Sequence, residues 1–222
     1  MSIPPWLQAL ADALPHVRPE QLSRFLPPAE GGRHSAVLVL FGDGARGPDL
    51  LFIERAATLR SHAGQPAFPG GVQDDSDAGP VEAALREAQE EVGLDPTGVE
   101  ILGTLPDLWL PPSGFVVTPV VGWWRDPHDV GVVDHAEVAA VARVPLAELV
   151  DPANRLSVSH PSGWIGPAFD VGDMRVWGFT AGLTDRLLEL GGWAVPWDRT
   201  RVRELDPETA ALALRTAGGP TA

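Results

Sequence analysis

A chain of 222 residues and 23.6 kDa is long enough for one well-buried core, and 44 % hydrophobic with 21 % charged residues is the composition of a folded soluble protein. The net charge of −14 excludes a general nucleic-acid binder, which needs basic surface against phosphates, and no apolar run approaches the ~18 residues of a membrane span. With no cysteine, disulfides, thiolate metal ligands and a thiol nucleophile are excluded too. All 16 basic residues are arginine, so an anion gripped by this chain must meet Arg, His, backbone N–H, hydroxyls or a metal. The N-terminal stretch lacks a basic region followed by a cleavable apolar core, and a cytoplasmic protein is the simplest expectation.

The first ~30 residues read as one or two short helices punctuated by Pro4, Pro5, Pro15 and Pro19, and end in a break at Pro27-Pro28 and Gly31-Gly32. His34–Phe41 ("HSAVLVLF") is a buried-strand candidate, turned by "GDGARG" into a hairpin partner at Leu50–Ala56. A loop rich in Gly and Pro leads to a helix opened by Pro80 and closed by Gly93. "EILGTL", "GFVVTPVVGWW" and "EVAAVARV" are further strands, the last followed by a short "PLAELV" helix. A hairpin with its turn near Pro161-Ser162-Gly163 precedes an amphipathic helix at Gly178–Leu190, and "PETAALALRTA" predicts one more helix. Strands and helices mixed without strict alternation predict one layered α/β/α or α+β domain rather than a doubly wound sheet.

The helix after Pro80 carries the chemistry. Val81, Ala84, Leu85, Ala88 and Val92 recur at three- and four-residue spacing and are expected to face the core. Glu82, Arg86 and Glu90 stand at successive i,i+4 steps, so that Arg86 is expected to bridge two carboxylates, while Glu87 and Glu91 form a neighbouring stripe. Each like-charge pair costs roughly 0.2–0.5 kcal/mol on an isolated helix. Either the face is simply solvated or a hard divalent cation sits there, with the arginine fixing a ligand's rotamer. Spacing alone leaves both readings open.

The stretch from Phe68 to Leu94, "FPGGVQDDSDAGPVEAALREAQEEVGL", resembles the signature of the Nudix hydrolases, G-x5-E-x7-R-E-U-x-E-E-x-G-U, with U a bulky aliphatic residue. Arg86, Glu87, Glu90, Glu91, Gly93 and Leu94 match, with Ala88 small at the first U. The first half departs: after five intervening residues beyond Gly71 stands Asp77 where the family has Glu, and eight residues rather than seven separate it from Arg86. Either the loop holds a one-residue insertion, or Asp74, Asp75 or Glu82 substitutes. "LFIERAATLRSHAGQPAFPGG" is similar to the additional motif of coenzyme A diphosphatases within that family, L-L-T-x-R-[SA]-x3-R-x3-G-x3-F-P-G-G. Leu51, Arg55, Ala56, Arg60, Gly64, Phe68, Pro69, Gly70 and Gly71 match; Phe52 and Ile53 do not.

The resemblance implies a Nudix-type α/β/α sandwich with a mixed central sheet over residues 33–191, flanked by an N-terminal helical extension (1–32) and a C-terminal extension (192–222). It implies Mg²⁺ or Mn²⁺ on Glu87, Glu91 and Glu90, with Arg86 positioning them. Arg55 and Arg60 would read the 3′-phosphate of coenzyme A, and Gly64, Phe68, Gly70 and Gly71 would shape the substrate side. The implied products are 3′-phosphoadenosine 5′-phosphate and (acyl-)4′-phosphopantetheine; ADP-ribose, a nucleoside triphosphate or a dinucleotide is the alternative substrate, and a non-catalytic Nudix-fold module the remaining reading. The expected partner is a small molecule, with no nucleic acid and no membrane, and a homodimer is one option for the assembly. Trp109, Trp123 and Trp124 either stack on the substrate or cover the core, and Glu137 is the loop carboxylate to test first as a general base.

Overall fold

Strand β1 explains the architecture, because its apolar residues serve two cores at once. In the computed structural model, which describes residues 3–23, 25–28, 31–59, 62–111, 113–161, 163–205 and 209, Val39 and Phe41 lie in one cluster and Ala36, Leu38 and Leu40 in another. Successive strand side chains point to opposite faces, so an uninterrupted apolar run marks a strand covered on both sides. The elements are α1 (Pro5–Ala13), α2 (Pro19–Leu22), β1 (Arg33–Gly44), β2 (Gly47–Arg55), β3 (Pro66–Ala67), β4 (Gly70–Val72), α3 (Pro80–Val92) and β5 (Val99–Thr104). They continue as β6 (Leu108–Leu110), β7 (Phe115–Trp124), β8 (Val138–Pro145), α4 (Leu146–Val150), β9 (Arg155–Ser159), β10 (Ile165–Val171), β11 (Met174–Val176), α5 (Gly178–Leu190) and β12 (Val202–Glu204).

The main sheet runs β3-β2-β1-β7-β5, with β4 on β1, β6 on β7 and β8 on β2. The β1–β7 pair is parallel and the others are antiparallel, so the sheet is mixed, as expected. Helix α3 covers one face through Ala83, Ala84, Ala88 and Val92. The other face is covered by Leu7 and Leu10 of α1, Leu14 in the turn after it, and Ala181, Leu183, Leu187 and Leu188 of α5. This is an α/β/α sandwich. A second sheet, β11-β10-β9-β12, packs Leu156, Val158 and Ala168 with Leu205, and turns Phe169, Val171 and Val176 toward the α1/α5 core.

The expected core-facing set holds, with Ala84, Ala88 and Val92 buried and Val81 and Leu85 half-buried against the same cluster; Ala83, outside that set, is buried with them. The helix lies so close to the glycines of β4 that its contact face consists of alanines, with the bulkier aliphatics flanking it. Glu91 is buried on the same face. The short strands β3, β4, β6, β11 and β12 carry too few residues for a periodic signal. The expected tail helix falls on residues of which only Thr209 is described. No helix among the described residues is long and apolar enough to cross a membrane.

Candidate active site

The loop from β4 into α3 is organised by Arg86. Its Nε and Nη2 donate to the two oxygens of Asp77 (3.1 and 3.0 Å), Nη1 donates to Glu87 Oε1 (3.0 Å) and Glu90 Oε2 (3.1 Å), and Nη2 reaches the Val72 carbonyl (3.1 Å). Asp77 is only 3 % exposed, and the bidentate arginine holds its carboxyl below the usual carboxylate range. The expected Glu82–Arg86–Glu90 bridge is half right. Glu82 instead turns back to the helix start, where its Oε2 accepts from Ala78 N–H (2.6 Å). A free N–H there attracts a carboxylate more strongly than an arginine already occupied by three others.

The other two glutamates lie against the glycine pair. A Cβ on Gly71 would collide with the Glu87 carboxylate, and one on Gly70, at φ +155°, with the backbone of Val37. Gly70 N–H donates to Glu91 Oε2 (2.9 Å), while Glu91 Oε1 is buried without a partner among the described residues. Burial pushes the Glu91 carboxyl up to about 8, against the Gly70 N–H and the Arg55 charge. Burial also raises Glu87, opposed by Arg86. Glu90 is exposed, tied to Arg86 alone.

Glu137 enters from the turn before β8, fixed by Ala56 N–H donating to its carbonyl (2.8 Å), and its charge bears on both Glu87 and Glu91. Arg55, at the end of β2, shares the α3-facing side with Ile53. Its guanidinium bears on Glu91 and has no acidic or hydrogen-bonded partner among the described residues. Gly64 makes the turn opposite it, donating to the Arg55 carbonyl (2.9 Å) at φ +64°. Arg60 lies outside the described residues.

Phe68, expected on the substrate side, is in the core and stacks on Phe52 (5.1 Å between centroids), where it anchors the Pro69-Gly70-Gly71 turn. Trp123 packs edge-on to Trp6 (5.7 Å), and Trp124 is buried under Arg143, so neither is available to a ligand; Trp109 stays half-exposed on β6. Outside the loop, His34, Gln73, Asp74, Asp75 and Asp77 line an open cleft of about 510 Å³. Its acidic rim repels anions, so the Arg55 side is the one suited to a phosphate. His62 and Gln65, absent from the expectations, also face this side; the only trace in the sequence is "HAGQ" inside the quoted motif.

Among the described residues, no three acidic or histidine side chains converge closely enough to enclose an ion on their own. The donor set nevertheless fits a hard divalent cation that keeps several waters and is completed by substrate oxygens. It offers carboxylates only, one with an orphaned buried oxygen and one given room by a missing Cβ.

The NUDIX domain model matches residues 32–161. An α/β/α sandwich that seats a glutamate ridge beside a glycine turn is the frame of a phosphoanhydride hydrolase. The chain belongs to the Nudix hydrolase family, whose members work with divalent cations. It is 42 % identical over 189 residues to a Citrobacter koseri protein named "Uncharacterized Nudix hydrolase NudL", covering 80 % of this chain and 88 % of that one. A Cronobacter sakazakii protein of the same name is 45 % identical over 159 residues, 65 % of this chain and 76 % of that one. Among solved structures, the Nudix hydrolase RenU from M. smegmatis shares the fold (TM-score 0.52, 19 % identity, 77 % of this chain and 92 % of that one).

Proposed function

We propose that this Nudix hydrolase cleaves the diphosphate of coenzyme A or an acyl-coenzyme A into 3′-phosphoadenosine 5′-phosphate and (acyl-)4′-phosphopantetheine, using Mg²⁺ or Mn²⁺ held by Glu87, Glu91 and Glu90. The observation that carries the substrate half is Arg55, a cation without an acidic partner among the described residues at the rim of a glutamate ridge. In a protein of net charge −14 such a cation suits a phosphate, which the planar guanidinium meets with two parallel donors. Its place in the coenzyme A diphosphatase motif makes the 3′-phosphate the group it reads, with Arg60 as a second reader.

A bound divalent cation supplies Lewis acidity at the phosphoryl oxygens and lowers the pKa of a bound water. The remaining work falls to the chain. Gly71 leaves room for the Glu87 carboxylate, Gly70 N–H orients Glu91, and Arg86 holds Glu87 and Glu90 while Asp77 holds Arg86. As water bonds to phosphorus and the bridging P–O bond breaks, Glu137 takes the proton. Its side chain has no ion pair or hydrogen bond among the described residues, and its charge already bears on Glu87 and Glu91.

Mass-spectrometric product identification over coenzyme A, acyl-coenzyme A, dephospho-coenzyme A, ADP-ribose, nucleoside triphosphates and dinucleotides, with Mg²⁺ or Mn²⁺, tests this reading. Coenzyme A is expected to exceed its dephospho form in kcat/KM by roughly 10–100-fold, with Arg55→Ala erasing most of that ratio. Preference for ADP-ribose or triphosphates would overturn the coenzyme A assignment.

A further inference from the structure

Buried polar atoms without partners are rare, and two such donors stand together at the open end of β2. Arg55 Nε and Gln65 Nε2 are both buried and unpartnered among the described residues. The backbone sets these residues side by side. Arg55 N–H donates to the Gln65 carbonyl (3.1 Å) and Gly64 N–H to the Arg55 carbonyl (2.9 Å), extending the antiparallel ladder in which Glu54 faces Pro66 and Ile53 faces Ala67. Residues opposite one another on antiparallel strands share a face. That face is the one toward α3, because Ile53 and Ala67, two residues back on each strand, pack with Ala84 and Ala88. Both donors therefore open toward the glutamate ridge.

Gln65 is held in this pose. Its Oε1 lies 3.0 Å from His62 Nδ1, which occupies the amide's acceptor and leaves its NH₂ without a partner among the described residues. His62 stands at φ +56°, a region that residues other than glycine seldom adopt and keep only where the surroundings impose it. Burial, together with the Arg55 charge, lowers the pKa of the His62 ring and favours its neutral form, which keeps one N–H for Gln65. A cationic donor and a neutral donor, adjacent, dry and unsatisfied, are complementary to an oxygen that carries negative charge. The nearby orphaned carboxylate oxygen of Glu91 repels that oxygen unless a cation lies between them.

We propose that Gln65, oriented by His62, is a specificity-determining residue that donates together with Arg55 to one phosphate oxygen of the substrate. The proposal rests on the reading of this site as a phosphoanhydride hydrolase centre, but not on coenzyme A as the substrate.

The test is calorimetric titration of the Mg²⁺-loaded protein with inorganic pyrophosphate, alongside thermal melts without ligand. Gln65→Met keeps the shape and removes the donor, so pyrophosphate affinity falls about tenfold while the ligand-free Tm rises, an unsatisfied buried donor having gone. His62→Asn, which tolerates the same backbone, weakens binding in the wild-type background and adds nothing to Gln65→Met. Arg55→Ala and Gln65→Met combined lose less than the sum of the single effects, because both donors serve one group. A wild type with no measurable pyrophosphate affinity would overturn the proposal. So would a Gln65→Met that lowers Tm and leaves affinity alone, since that marks a structural amide, and so would strictly additive effects. If coenzyme A is not cleaved but this pattern appears, the coenzyme A assignment falls and the proposal stands. If coenzyme A is cleaved and pyrophosphate affinity ignores Gln65, the proposal alone falls.

Discussion

Glu87 and Glu91 occupy unlike surroundings although they stand one helical turn apart. Glu87 is gripped by Arg86; Glu91 is sunk against β4 with one oxygen unpaired. Glu87→Gln or Glu91→Gln should each lower kcat by about two orders of magnitude or more, several kcal/mol of barrier, without unfolding the chain; steady-state kinetics with circular dichroism checks this. Glu91 also gives the metal-free protein a pH signature. Its folded-state pKa of about 8 lies above the ordinary 4.5, so between these values the folded state binds the extra proton. Its contribution is therefore complete below about pH 4.5 and is lost as pH rises to about 8. Denaturant titrations in chelator at pH 5, 7 and 9 should show that loss, and Glu91→Gln should flatten it. A glutamine that leaves the slope unchanged would rule out Glu91 as its source. Spacing left these residues open between a solvated face and a metal site; the resemblance to the family signature made them legible. The depth of Glu91 was not, because burial depends on how closely the glycine turn lets the helix approach. Nor were His62 and Gln65, whose meaning lies in unpartnered atoms rather than in residue type.

At the scale of the element, α3 and its entry loop behave as one piece. Pro80 begins the helix and Gly93, at φ +73°, ends it, both as the punctuation predicts. Arg86 then fastens the loop to the helix through Asp77, whose value the departure from the family spacing concealed. Asp77 and Asp74 close a turn on each other, with Asp77 N–H on the Asp74 carbonyl (3.0 Å) and Asp74 N–H on Asp77 Oδ2 (2.8 Å). Asp77 acts through the arginine rather than on the glutamates, so Asp77→Asn should cost roughly tenfold in kcat, well short of the glutamate variants, with KM little changed. A loss equal to that of Glu87→Gln in the same assay would place Asp77 directly on the ion. Strands β1, β2 and β7 and helix α5 were legible because each carries a long apolar pattern. The burial of Ala83 was not, since alanines register weakly in any hydrophobic pattern yet supply three of the helix's four buried apolar residues.

On the scale of the molecule, α1 and Trp193, just beyond α5, pack on the face opposite α3. Trp6 of α1 meets Trp193, beyond α5, at 5.9 Å and Phe41 of β1 at 6.4 Å. Arg155 of β9, 1 % exposed, pairs with Asp185 of α5 between the rings of Phe169 and Trp197. Removing one partner of a buried pair leaves an uncompensated charge, which costs about 3–5 kcal/mol. Asp185→Ala should thus lower Tm by about 10 °C, while kcat of the folded enzyme stays near wild type, since the pair lies across the sheet from the glutamates. Thermal melts and turnover below the transition check both halves; a fall in kcat without a fall in Tm would contradict the assignment. The terminal stretches read as extensions in the sequence, and their packing into the shared core was invisible there because it depends on single large side chains rather than on a repeat.

The parallel β1–β7 ladder sets an order of events in time. β1 and β2 meet across the two-residue turn between Gly44 and Gly47, whereas β1 and β7 join residues more than a third of the chain apart. Short loops close early and long ones late, so the hairpin carrying Arg55 should form well before the central seam zips. Glu91 is held by Gly70, which rests on Val37 in the middle of that seam. In stopped-flow refolding, hydrolytic activity should therefore return only with the slowest phase, after most of the ellipticity. The unfinished enzyme would hold in place the arginine proposed to meet a phosphate, with its acidic ridge unseated, and on that reading be a binder before it is a catalyst.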